Sequence, residues 1–125
     1  MENRINEMLA YFEHQIAECG KKEKKLQCDY RTDEANLEKI KANVYDIFKT
    51  MFSMAVKAAQ SKDNKRDSIR SKFMEKVRGI PINWRRSYDC AKEHQDSSKI
   101  MIEEIKLQTV AAIESTFEEI WGVEQ

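Results

Sequence analysis

Residues 44–59 read VYDIFKTMFSMAVKAA, and the polar positions among them are Asp46, Lys49, Thr50, Ser53 and Lys57. At about 100° per residue the apolar positions sweep roughly 200° of a helix surface, about twice the stripe of a one-sided surface helix. One neighbouring helix cannot cover an arc of that width. The segment is therefore expected at the centre of a bundle, or buried partly by its own fold and partly by a second chain.

Working outward, Leu37, Ile40, Val44, Ile47 and Met51 extend the stripe back towards Thr32 and Asp33, N-cap candidates ahead of Glu34. This predicts a helix of about 28 residues, roughly 42 Å long, ending near Gln60. Upstream, Ile5, Met8, Leu9, Phe12, Ile16 and Cys19 recur at three- and four-residue intervals and predict a helix over 3–27, its far end weakened by Gly20 and the basic run 21–25. Downstream, Ile69, Phe73, Val77 and Ile80 mark a shorter third helix closing at Gly79. Pro81 is expected to open a turn over 79–83, with Asn83 capping a fourth helix from Trp84. Trp84, Tyr88, Ala91, Ile102, Ile105, Thr109, Ile113, Phe117 and Ile120 share one helical phase and read as a single helix over 84–121. A break near residue 96, where Asp96 or Ser97 would cap a fresh helix, is the alternative.

Three Gly and one Pro in 125 residues leave little punctuation for strands and tight turns, while helix formers dominate. The expected fold is all-α: one domain over 1–125, an antiparallel helical bundle of about four helices. Charged residues make up 35% of the chain and hydrophobic residues 41%, enough for a core with well-solvated outer faces. The broad face of the second helix and the overhang of a long fourth helix suggest self-association, most simply as a two-fold homodimer. An odd number of cysteines (Cys19, Cys28, Cys90) and the lack of a leader-like start point to a reducing, cytoplasmic setting. No apolar run approaches the roughly 20 residues that span a bilayer, so no membrane partner is expected.

Chemistry finds little support. A di-iron bundle needs Glu-x-x-His, but the residues three before His14 and His94 are Tyr11 and Ala91. His14 with Glu18, and Cys90 with His94, each bring two ligands to one helix face where zinc wants three or four. Glu103–Glu104 and Glu118–Glu119 are adjacent carboxylates pointing about 100° apart, and read as solvated faces, not an acid/base dyad. Gly-rich phosphate loops and nucleophile elbows are missing. Neither enzymatic activity nor a metal or cofactor is expected.

Surfaces are the better candidates. Net charge is zero, yet residues 61–88 carry 9 basic and 3 acidic side chains and residues 89–125 carry 3 and 9. Such an asymmetry suggests complementary faces within the bundle or between subunits. A partner contact is expected at Phe48, Met51 and Phe52 on the second helix and at Trp84, Arg85, Arg86 and Tyr88, which have the composition of a protein–protein hot spot. On the packing alternative, Trp84 and Tyr88 sit on Ile80 and Ile82 at the bundle end. A nucleic-acid patch through Lys62, Lys65, Arg66, Arg70 and Lys72 is the second functional reading, with Asp63, Asp67 and Glu75 interrupting its field. Met51, Met54, Met74 and Met101 fall at helical core spacing and read as gap-filling core residues.

Overall fold

Ile5, Met8, Phe12 and Cys19 form the buried stripe of α1 (Glu2–Cys28) in a computed structural model that describes residues 1–122. Four more helices follow: α2 (Thr32–Ala58), α3 (Lys65–Gly79), α4 (Pro81–Glu93) and α5 (Ser97–Trp121). No strand occurs among the described residues. α1 and α2 are both 27 residues long, about 40 Å each. α3 and α4 are separated by Ile80 alone and form one rod, so the molecule is an antiparallel bundle of four rods. α2 runs parallel to α5, and antiparallel to α1 and to the α3–α4 rod.

The core is aromatic. Phe52 of α2 meets Phe12 of α1 (ring centroids 6.2 Å), Phe73 of α3 (5.5 Å), and Phe117 and Trp121 of α5 (6.3 and 5.8 Å). Most of these pairs are edge-to-face, the arrangement in which the ring quadrupoles attract. α2 packs against α1, α3 and α5, the central position that its wide apolar arc requires. α4 packs on α5 and on the end of α3 instead.

Two of the three sequence-predicted boundaries in the second half are revised. Residues 79–83 are not a turn: Ile80 keeps helical angles (φ −59°, ψ −43°), Pro81 takes the first turn of α4, and Asn83 lies inside that helix rather than capping it. Pro81 has no N–H, which costs nothing at a helix start, so the chain passes from α3 to α4 without leaving helical geometry at Ile80. The fourth helix is not continuous over 84–121, because the alternative break is present: α4 ends at Glu93, and Asp96 caps α5 by accepting a hydrogen bond from the Lys99 N–H at 3.2 Å. Gly20, by contrast, does not end α1, which continues to Cys28.

The α1–α2 and α4–α5 connections share one geometry. Tyr30 (φ 60°) and Gln95 (φ 54°) adopt the left-handed conformation two residues past the end of each helix, just beyond the C-caps Asp29 and His94. The Arg31 N–H donates to the Leu26 carbonyl and the Tyr30 N–H to Gln27, while the Asp96 N–H donates to Ala91 and the Gln95 N–H to Lys92. Both are Schellman closures, normally made by glycine.

Substitutions at these positions should therefore stabilise. Tyr30 is 92% exposed and loses no packing on truncation. Tyr30→Gly and Gln95→Gly are each expected to raise stability by about 0.5–1 kcal/mol in urea unfolding. A methyl group at Gly20 would meet no atom within 4 Å, so Gly20→Ala, mid-helix, should add about 0.5–1 kcal/mol. A lower midpoint for any of the three would contradict the backbone conformation described.

Candidate association surface

Helical spacing gives α2 two apolar seams. The inner seam, Tyr45, Phe48, Phe52, Ala55 and Ala59, is buried in the bundle. The outer seam, Leu37, Ile40, Val44, Ile47, Met51, Met54 and Ala58, alternates three- and four-residue steps along the whole helix. That period belongs to a helix with a partner along its length. Yet within this seam only Val44 is buried, while Ile47 is 37% exposed and Met54 57% exposed.

The outer seam is left uncovered because α3 reaches α2 while α4 packs on α5 instead. α3 lies beside the C-terminal half of α2, leaving a hollow of about 310 Å³ between Met51, Met54, Ala55 and Ala58 on one side and Lys72, Glu75 and Lys76 on the other. α4 follows α5, and the Trp84 ring reaches back to α2, edge-on to Phe48 at 6.3 Å. The N-terminal halves of α2 and α5 consequently flank an open groove of about 520 Å³. Leu37, Ile40, Met101 and Ile102 give it apolar walls, and Asp33, Glu34, Ser97 and Ser98 lie at its helix-start end.

The sequence-predicted contact residues are divided by this geometry. Phe48 and Phe52 are fully buried and face their own core, so of that trio Met51 alone reaches the surface. Trp84 is half-buried against the core, and the Lys106 ammonium stands 5.4 Å from its ring centre. Tyr88 is half-buried, with the Lys92 ammonium 5.5 Å from its ring, while Arg85 and Arg86 are exposed. Trp84 and Tyr88 thus keep part of their surface in solvent beside the exposed Arg85 and Arg86. Of the methionines, Met74 is buried as a core residue, but Met54 and Met101 are more than half exposed.

The basic segment has a structural task at the end of α5, which has no basic residue of its own in the last turn. The Arg66 guanidinium donates to the carbonyls of Trp121 and Gly122 at 2.8 and 3.0 Å, and Arg4 of α1 donates to the same Trp121 carbonyl at 2.8 Å. The Trp121 indole N–H returns a bond to the Arg66 carbonyl at 3.1 Å. Arg70 holds the Glu118 carboxylate through two bonds, 2.5 and 2.8 Å. These cations complement the negative end of the α5 dipole. Lys62 and Lys72 remain exposed, and Lys65 is partly covered.

Two titratable groups elsewhere are shifted by burial. Burial pushes the Cys19 thiol up, away from thiolate, and the neighbouring Glu38 carboxylate adds to this. Burial, and then a hydrogen bond with Tyr11, pushes the Tyr45 hydroxyl up. Glu103 is buried and paired with Lys106 at 3.3 Å, unlike the exposed Glu104 beside it. Cys90 Sγ lies 3.8 Å from His94 Nδ1 on an exposed face. Among the described residues, no group of three or more His, Cys, Asp or Glu is placed to hold a metal ion, and no helix is long and apolar enough to cross a membrane.

The fold and surface thus define an all-α bundle with an uncovered central seam. No family model, no curated protein and no solved structure matches the chain.

Two measurements test the closure of α5. Arg66→Ala should lower stability by about 1–2 kcal/mol, whereas Lys62→Ala should change it by less than about 0.5 kcal/mol. The hydrogen bond from Arg70 holds the Glu118 carboxyl below its ordinary value, against a smaller opposing effect of burial. The stabilisation from this pair is then present at neutral pH and lost as pH falls through that lowered value. Urea midpoints of the wild type should fall more steeply on acidification than those of Glu118→Gln. Parallel curves would remove the pair from the acid response.

Proposed function

We propose that this chain works by protein association, as a small cytosolic helical module that assembles with itself and docks a further protein, with no catalytic step of its own. The observation carrying this reading is the outer seam of α2, a heptad-spaced apolar line whose Ile47 and Met54 stand in solvent. A monomer has no use for such a seam, and exposed apolar lines of this kind mark contact surfaces. Exposed thiols at Cys28 and Cys90 suit a reducing compartment.

A second reading, a nucleic-acid-binding regulator, draws on the exposed Lys62, Lys72, Arg85 and Arg86. Arg66 and Arg70, engaged at the end of α5, are not available to it without loosening that helix. Salt separates the two readings, because phosphate contacts weaken steeply with ionic strength and an apolar seam barely responds.

The test is solution mass by light scattering over a range of protein and salt concentrations, with 260 nm absorbance recorded. A salt-insensitive oligomer is expected, and Ile47→Asp with Met54→Asp should dissociate it while leaving the melting temperature within a few degrees of wild type. Phe48→Asp, one residue along the same helix, should instead abolish folding, because it buries an unpaired charge. A concentration-independent monomer carrying nucleic acid that high salt strips off would replace the association reading with the nucleic-acid one.

A further inference from the structure

Ile47 and the hollow beside Met54 lie on one exposed face of α2, about two helical turns apart. Ile47 is 37% exposed, and the 310 Å³ hollow has Met51, Met54, Ala55 and Ala58 on its α2 side and Lys72, Glu75 and Lys76 on its α3 side. Midway between them is Thr50, small and exposed, its hydroxyl already donating to the Asp46 carbonyl at 3.0 Å. A knob and a hole placed symmetrically about a small residue are what an isologous contact requires. Charge follows the same symmetry: Asp46 lies on the N-terminal side of Thr50 and Lys57 on the C-terminal side, on one flank of the seam.

We propose that the occupant of this seam is the same seam of a second copy, running antiparallel, with a two-fold axis between Thr50 and Met51. This rests on the association reading above and names its partner and register. An axis there sets Ile47 opposite Met54 of the partner subunit, so that each isoleucine enters the other chain's hollow. Asp46 then stands about 3 Å along the axis from Lys57 of the partner subunit, within reach of the lysine stem. The two-fold repeats both contacts, giving two apolar insertions and two ion pairs. Thr50 at the axis allows the helices to approach closely. A parallel pairing would instead set Asp46 against Asp46 and Lys57 against Lys57, so the charges select the antiparallel direction.

The experiment is disulfide trapping and charge exchange on the full chain, read beside light scattering. In a Cys28→Ser, Cys90→Ser background, Thr50→Cys is expected to cross-link into a covalent dimer under mild oxidation. Asp46→Lys and Lys57→Asp should each weaken dimerisation by about tenfold or more, and the two together should restore it. A dimer that neither cross-links at position 50 nor responds to either charge change overturns this register while leaving association standing. A monomer at every concentration overturns the register and self-assembly together. Circular dichroism confirms that each exposed-site variant remains helical, so loss of mass reports the interface and not the fold.

Discussion

All four rods of the bundle meet at the ring of Phe52. Phe12, Phe73, Phe117 and Trp121 surround it from three other rods, with centroids between 5.5 and 6.3 Å away. Large buried rings remove the most apolar area per residue, and their edge-to-face geometry fixes relative orientation as well as proximity. Everything else is arranged around that cluster. The arginine closure of α5 holds Trp121 in place, since Arg66 binds its carbonyl and accepts its indole N–H. Trp121 in turn lies edge-on to Phe52 and stacks on Phe117.

Concentrating the aromatics at one end leaves the other end thinly filled. The largest fully buried side chains, among them Met8, Phe12, Phe48, Phe73, Ile113 and Trp121, belong to the aromatic half. Towards the hairpin tips the buried set shrinks to Cys19, Ala35, Ala91 and the charged Glu103. Small residues give each hairpin a close internal fit but nothing large enough to fill the space between the hairpins. α4 does not close that space, because it packs along α5 and not against α2. The open groove of Leu37, Ile40, Met101 and Ile102 is therefore a consequence of where the rings are, and not a separate feature of the fold.

Helix content and the central place of α2 were legible in the sequence because both follow from periodicity and from the width of one apolar arc. Which part of that arc is inner and which outer was not, since Phe48 and Ile47 are equally apolar and differ only in which neighbour arrives. The boundaries misread at 79–83 arose from treating Pro81 as a breaker. It sits where its missing N–H is harmless, and Ile80 stays helical between two helices that satisfy the backbone on either side. The hairpin closures were hidden for the opposite reason: Tyr30 and Gln95 occupy positions that glycine usually announces. Likewise Arg66 and Arg70 look like a solvent-facing basic run in one dimension, because their carbonyl and carboxylate partners lie 48 or more residues away.

The charge asymmetry along the chain has the same long-range origin. The basic segment 61–88 covers α3 and most of α4, and the acidic segment 89–125 contains α5, so the excess of one is folded against the excess of the other. Arg70 with Glu118, and Arg66 with the end of α5, are where the two meet. Both helices run antiparallel, and the basic start of α3 thereby lies against the negative end of the α5 dipole. Two guanidiniums of the basic run, Arg66 and Arg70, thus close the bundle while Lys62 and Lys72 stay in solvent, and the outer apolar seam of α2 is left open beside them.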